Sequence, residues 1–380
     1  WLLNIRGKDL PNSPLVNCKL ILTDKGKIFF FTNLKKVDNS IRKYLKNIIF
    51  CNEEDFIQTI INLKKGRFCI DKNTCSVFDE QIIKSKFNIT SITDPLYFFK
   101  SIKNRTEINN TIKVHIEDGV ALTKFLYWFK NNKKQITEKK IELKLENFRK
   151  SSKNYLYKSF DTIAGSGPNG AIIHYKSNNK TNRKLKKNDI LLIDSGGQYK
   201  WGTTDVTRTT VSGKISNKIK ENFTRVLKGH IAVFLCNINK KFNGHLIDRL
   251  ARKSLKQAGL GYSHGTGHGV GCFLNVHEGP QSFSKNNKIN LKSGMIISNE
   301  PGYYKEGHFG IRIENLIYIN KNKFEELTMA PIEKDLINKK MLNKKEVDWI
   351  NKYHNKVKKN LFKFMNFKEK VYLLKACSPI

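Results

Sequence analysis

The chain has 380 residues, 39% of them hydrophobic and 11% aromatic, so wholesale disorder is excluded and two or three domains are expected. No apolar stretch reaches about 18 residues, which excludes a transmembrane helix. Lys and Arg outnumber Asp and Glu by 70 to 33, a net charge of +37 that raises nucleic-acid binding as a hypothesis. The lysines are spread along the whole chain and travel with Asn, Ile and Phe, a bias expected from AT-rich codons. There is no zinc-finger spacing, aromatic-plus-basic signature or dominant basic tail. Solvated faces are therefore expected, with only loose, salt-sensitive adhesion and no specific nucleic-acid or membrane partner.

The opening WLLNIRGKDLPNS has neither a basic n-region nor a small-residue cleavage site, so it is not read as a secretory signal. It also lacks an initiator Met, and an N-terminal part is expected to be missing. The cysteines (Cys18, Cys51, Cys69, Cys75, Cys236, Cys272 and Cys377) are odd in number and scattered, with no C-x-x-C. That argues against a disulfide framework and a zinc–thiolate site, and for a cytoplasmic location.

Residues 1–102 read as a small α/β domain. KLILT, Asp24-Lys25-Gly26 and KIFFFT form a predicted hairpin. Ser40–Ile49 and Glu53–Lys65 have helical spacing, with Gly66 as the stop of the second helix, and RFCID reads as a strand. Asp94-Pro95 breaks the pattern. Ile108, Ile112, His115, Ile116, Val120, Leu122 and Phe125 then recur on one face of a long helix, and a second helix spans about Thr137–Phe148. His115 is expected to be structural or at the surface. Beyond Tyr155 come glycines and short β-rich runs: AIIHY, DILLIDSGG, TRTTVSG, MIISNEPG and GIRIENLIYI. A helical stretch over about 219–258 interrupts them. The pattern predicts an α+β domain over 103–323, followed by a helical extension over 324–380 whose Trp349 helix covers the core or another subunit.

Five metal-ligating residue types stand where they are otherwise unfavourable. Asp194 ends the apolar run Ile190–Ile193, where a carboxylate is costly unless paired or metal-bound. Asp205 comes eleven residues later, before Val206–Thr210, and a hairpin would bring the two together. Glu300 closes Met295–Asn299, and Glu314 shares a strand face with Arg312. Between them lies His264-Gly-Thr-Gly-His268, whose glycines weigh against a helix and so against the H-E-x-x-H zinc pattern. Singly, each Asp or Glu is more often a cap or surface charge. Together, four carboxylates and one imidazole can hold two divalent ions, with Mn²⁺ best suited and Co²⁺ or Zn²⁺ able to substitute.

The motifs GSGPNGAIIHY (165–175), LIDSGGQYKWGTTDVTRT (192–209), LKGHIAVF (227–234), HGTGHGVGCFLNVHEGP (264–280) and NEPGYYKEGHFGIRIEN (299–315) resemble the aminopeptidase P (Xaa-Pro aminopeptidase) family, pita-bread metallopeptidases of family M24. The long form of eukaryotic cytosol is the nearer match. WLLNIRG resembles the opening of that family's second domain, so its first domain would precede Trp1. The resemblance implies an α+β pita-bread catalytic domain after a creatinase-type domain, and removal of an N-terminal residue that precedes proline. The attacking species would be a hydroxide bridging two divalent metals. It assigns Asp194 to one metal, Asp205 and Glu314 to both, and His268 and Glu300 to the other. Glu300 would also shuttle a proton. His264 and His277 would hold substrate and stabilise the oxyanion, while His174, Tyr304 and Arg312 would contact substrate around the proline pocket. A homodimer formed through the C-terminal region is implied, with Trp349 as an anchor.

His230 and His245 are expected to be structural and His308 to lie at the surface; Trp201 receives no role. Two other readings stand beside the peptidase. A pita-bread binding module would lack ligands that are intact here. Prolidase and methionine aminopeptidase share the metal set, but the small domain and the HGTGHGVGxFLNVHEGP form favour aminopeptidase P.

Overall fold

Asp24-Lys25-Gly26 makes the anticipated turn: Gly26 takes φ 74°, and β1 (Lys19–Leu22) pairs antiparallel with β2 (Ile28–Phe31). The computed structural model describes residues 1–132, 134–238 and 242–380. The chain divides into two units, Trp1–Leu10 with Pro14–Phe99 and Pro11–Ser13 with Lys100–Ile380.

In the first unit, the helix predicted over Ser40–Ile49 is only half realised. Asp38 caps α1 (Asn39–Tyr44), but β3 (Ile48–Cys51) is a strand parallel to β2. Ile48, Ile49 and Phe50 are β-branched or aromatic, and pairing beside β2 overrides helical spacing. Phe50 packs edge-on against Phe30 with ring centroids 5.8 Å apart. α2 (Asp55–Asn62) ends before Gly66, because Leu63 turns extended. Gly66 merely precedes β4 (Arg67–Ile70), which pairs in parallel with β5 (Asn88–Ser91) across α3 (Val77–Lys84). Phe31, Phe56, Ile60 and Ile83 form this unit's core. Pro95 opens α4 (Pro95–Ser101), as its fixed φ and missing N–H favour.

The second unit begins with α5 (Arg105–Asn131), started by an Asn104/Glu107 capping box, and α6 (Glu138–Lys150). Val114, His115, Leu122, Phe125 and Phe129 bury one face of α5, so His115 is structural. β6 (Tyr155–Lys158) and β7 (Ile163–Ser166) precede β8 (Ile190–Ser195), β9 (Gly197–Tyr199), β10 (Gly202–Thr203) and β11 (Val206–Val211). These form two three-stranded sheets, β11-β8-β7 and β10-β9-β6. After α7 (Asn217–Leu235) and α8 (Gly244–Lys256) come β12 (Gly267–Gly269), β13 (Glu278–Phe283) and β14 (Ile296–Asn299). β15 (Gly302–Lys305) pairs with β16 (Phe309–Arg312). β17 (Asn315–Asn320) and β18 (Lys323–Glu326) complete a sheet ordered β13-β12-β14-β17-β18. The architecture is the expected α+β one.

Two local expectations fail. AIIHY is not a strand: Gly167–Ala171 form a 3-10 turn, and a bend follows to Tyr175. Side-chain hydrogen bonds rather than a sheet ladder hold this segment. GIRIENLIYI is two strands, broken at Ile313-Glu314. Ile311 and Ile313 face the core while Arg312 and Glu314 turn the other way.

Residues 324–380 fold into the second unit. α9 (Lys344–Leu361) and α10 (Phe367–Ala376) pack Trp349, Tyr353, Val357 and Leu373 into the core with α7. Trp349 is therefore not available to anchor a partner. It is 5% exposed, stacked on Tyr353 at 5.4 Å and edge-on to the buried His230 at 5.6 Å. The apolar stripe of α9 is spent on the chain's own core. Among the described residues, no helix is long and apolar enough to cross a membrane.

Candidate metal centre

The β8–β11 register sets Asp194 opposite Thr207 and Ser195 opposite Val206, so Asp205 comes down beside Asp194. This is the hairpin the two aspartates required, with β9 and β10 as its turn. Gly196 permits it, because a Cβ there would run into the Thr204 carbonyl. β12 pairs with β14 through Gly269 and Ile297. The His268 N–H donates to Ser298 Oγ (2.9 Å), and Ser298 Oγ donates to Glu300 Oε1 (3.1 Å). The Glu314 N–H donates to the Thr207 carbonyl (3.2 Å), and Thr207 Oγ1 donates to Glu314 Oε2 (2.7 Å). Four segments distant in sequence thus deliver one acidic cluster.

Ligand atoms of Asp205, His268 and Glu314 all lie within 4.8 Å of one another. His268 Nε2 stands 3.5 Å from Asp205 Oδ2 and 3.4 Å from Glu300 Oε1. Arg312 Nη2 donates to Asp194 Oδ2 (2.6 Å). Asp194 Oδ1 is buried without a hydrogen-bond partner, a position that a cation would satisfy. All five predicted ligands line one cavity of about 490 Å³, which His174, His264, His277 and Arg312 also line. Tyr304 stands behind it: its hydroxyl is held by Arg312 Nη1 (2.6 Å) and His264 Nε2 (2.8 Å).

The electrostatics fit cations. Burial first, then Glu300, pushes Asp194 up against the pull of Arg312. Asp205 rises to about 6 through burial and the charges of Asp194 and Glu300, opposed by His268. Glu314 is pushed well up by burial, Asp205, Glu300 and Asp194. Burial would lower His268, but the Asp205 hydrogen bond and Glu300 outweigh it and raise the ring to about 9. Carboxylates that raise one another in a buried site are relieved by divalent cations, and oxygen donors with one imidazole suit Mn²⁺, Co²⁺ or Zn²⁺. At pH 7 metal uptake must therefore displace a proton from His268, whose ring is raised to about 9. Titration calorimetry in buffers of differing ionisation enthalpy should show proton release. Apparent affinity should fall about tenfold per pH unit as pH drops below about 9, where His268 takes up its proton, and more steeply below about 6, where Asp205 does too. Buffer-independent heats would contradict this.

The other imidazoles differ in state. His264 Nδ1–H donates to the Gly265 carbonyl (2.7 Å), and burial lowers the ring's pKa, so its neutral Nε2 accepts from Tyr304. Both nitrogens are committed. His277 is lowered to about 4, by burial and then by His268, whose ring it meets edge-on with centroids 4.2 Å apart. It is neutral at pH 7 and keeps an N–H to donate. His174 lies on the bend after the 3-10 turn, His308 is exposed in its turn, and Trp201 is 43% exposed between β9 and β10. His245 is tied to the Lys285 carbonyl.

Sequence reasoning missed Thr207 and Arg208. Arg208 is buried and donates to the backbone carbonyls of Glu314, Ala330 and Pro331 and to the Asn315 side chain. The alternation of TRT only hinted that one side chain faces inward. Also missed was the buried Lys103–Glu278 ion pair beside His277.

The fold and this cluster are those of a pita-bread metallopeptidase. Residues 110–321 match the model of metallopeptidase family M24, residues 321–380 that of the C-terminal region of peptidase M24, and residues 1–107 the creatinase/prolidase N-terminal domain. The chain belongs to metallopeptidase family M24. Among its relatives, a probable Xaa-Pro aminopeptidase P of Laccaria bicolor is 36% identical over 100% of this chain and 63% of its own length. Xaa-Pro aminopeptidase 1 of Dictyostelium discoideum is 38% identical over 94% and 60%. The chain thus spans about 60% of the length of these curated relatives. X-prolyl aminopeptidase from Caenorhabditis elegans, described as a cytosolic enzyme with a di-nuclear active site, superposes with TM-score 0.94 at 32% identity, covering 100% of this chain and 66% of that one. A Thermococcus sibiricus prolidase gives TM-score 0.67 at 28% identity, with coverages of 83% and 86%.

Proposed function

We propose that the chain is a metal-dependent Xaa-Pro aminopeptidase that removes the N-terminal residue from peptides with proline second. The observation that carries this reading is the convergence of Asp194, Asp205, His268, Glu300 and Glu314 on one cavity, with an unsatisfied carboxylate oxygen on Asp194. The substrate class rests on the relatives' names and on proline itself, whose missing N–H and fixed φ demand a dedicated site. The 36–38% identity to relatives named Xaa-Pro aminopeptidase, against 28% to the prolidase, favours the aminopeptidase over a prolidase.

In this reading Asp194 would serve one metal, Asp205 and Glu314 both, and His268 and Glu300 the other. The metals, Mn²⁺ in preference to Co²⁺ or Zn²⁺, would supply a hydroxide at neutral pH and polarise the scissile carbonyl. Arg312 fixes Asp194 and, with Tyr304, backs the proline pocket. Glu300 carries a proton to the leaving proline nitrogen. His277 donates its N–H to the developing oxyanion, and His174 and His264 hold the peptide. The catalytic domain is taken as 103–323, with 324–380 as its helical extension and 1–102 as the small domain. A homodimer and a cytoplasmic location belong to the same proposal. The location is supported by the seven scattered cysteines, which include no C-x-x-C, and by the cytosolic relative.

The test is the purified chain with Mn²⁺ against matched Xaa-Pro and Xaa-Ala peptides, with metal content measured alongside. Release of the N-terminal residue from Xaa-Pro peptides alone, with two metals per chain, is expected. No release by fully loaded protein would refute the reading.

A further inference from the structure

Glu138 is 0% exposed, at the first position of α6. Its carboxylate is a hub for donors that are all uncharged. Oε1 accepts from the Ser166 N–H (2.7 Å) and Ser166 Oγ (2.9 Å). Oε2 accepts from the Tyr175 hydroxyl (2.7 Å) and the Arg183 N–H (2.9 Å), and Asn169 Nδ2 bridges both oxygens at 3.1 and 2.9 Å. The α6 N-terminus adds a favourable dipole. A buried carboxylate without a cation is an expensive way to gain stability, since apolar packing of equal volume usually does as well. What it achieves is geometric: one side chain gathers Ser166, Asn169, Tyr175 and Arg183, which span the whole connection from β7 across the bend.

That connection forms a wall of the metal cavity. Ile173, His174, Tyr175 and Lys176 all line it. The segment has no strand ladder: besides this clamp it is held by local turn bonds, Ile172 N–H to the Asn169 carbonyl and Tyr175 N–H to the Ile172 carbonyl, and by Ser177 Oγ on Glu142. Tyr175 is buried between Glu138 and the Thr181 carbonyl (2.8 Å), while the adjacent His174 is exposed to the cavity. On the other side, Arg312 Nη2 reaches the Ile173 carbonyl at 3.5 Å. A Cβ on Gly310 would strike the Gly170 carbonyl, so the 3-10 turn also rests directly on β16.

We propose that Glu138 is a positioning residue: acting through Tyr175, it sets the cavity wall that presents His174 to the peptide. The His174 end of this claim rests on the peptidase reading above; the clamp itself does not.

The test uses Tyr175→Phe, which removes a single hydroxyl, and Glu138→Gln, each alone and combined with His174→Ala. One arm needs no activity: limited trypsin cleavage after the exposed Lys176 and Lys180, followed by mass spectrometry. Loss of the hydroxyl, with its contacts to Glu138, the Thr181 carbonyl and Asn169, should speed nicking at these sites roughly five- to tenfold. Circular dichroism and metal content should stay unchanged in Tyr175→Phe. In the second arm, kcat/KM for an Xaa-Pro peptide should fall about tenfold in Tyr175→Phe, and the change should add nothing in the His174→Ala background. Unchanged nicking in Tyr175→Phe would overturn the clamp, whatever the enzyme's activity. Multiplicative losses in the double variant would overturn the action through His174. An inactive but metal-loaded wild type with accelerated nicking in Tyr175→Phe would uphold the clamp and reject the peptidase reading instead.

Discussion

Glu314→Gln is expected to lose its metals and at least about a thousandfold in Xaa-Pro cleavage, the several kcal/mol that metal catalysis supplies. The fold should survive. The backbone at 314 is held independently of its carboxylate, by the Thr207 carbonyl and by Arg208. Burial and three neighbouring carboxylates push the Glu314 pKa well up, which favours its protonated form in metal-free protein, and glutamine resembles that form. Chelated wild type and chelated variant should therefore melt within a few degrees of each other. The difference should appear on adding Mn²⁺. Wild type gains stability by mass action, about 2.7 kcal/mol at a hundredfold excess over Kd, and the variant gains almost none. Differential scanning calorimetry with and without metal checks this, and an equal metal-induced rise in Tm would remove Glu314 from the ligand set.

His277→Ala should behave in the opposite way. Metal content and melting should stay at wild-type values, while kcat falls by about 10²-fold or more, the usual loss for one oxyanion donor. His277 is poised for this because burial and His268 keep it neutral, lowered to about 4, so an N–H is available throughout the working pH range. Its backbone is steadied by the neighbouring Glu278, whose carboxylate pairs with buried Lys103. A His277→Gln variant, which restores a donor, should recover part of the rate. Equal kcat in wild type and His277→Ala would transfer the oxyanion role elsewhere. His264 is a poor second choice, because both its nitrogens are engaged by Gly265 and Tyr304.

The cluster was readable before the fold because each ligand breaks a local rule. Asp194 is the last residue but one of the fully buried β8 and Glu300 directly follows the fully buried β14, while the glycines around His268 disfavour a helix. Such violations depend only on neighbours in sequence. The failures share the converse cause. Ile48–Cys51 became a strand because β2 was there to pair with, and Trp349 turned inward because α7 and His230 offered it a core. AIIHY looked like a strand by composition, but Glu138, 37 residues from Tyr175, holds it as a turn and bend.

The order and chemistry of the acidic residues, the periodicity of the long helices and the hairpin that joins two aspartates were decided by sequence alone, since charge burial and side-chain period act over a few residues. Only the tertiary structure decided what each nitrogen of His264 is bonded to, which oxygen of Asp194 lacks a partner, and which buried carboxylate steadies the wall bearing His174. Those are properties of atoms brought together from segments up to a hundred or more residues apart, as Arg312 is from Asp194. No local pattern encodes the distance across which a hydrogen bond must close.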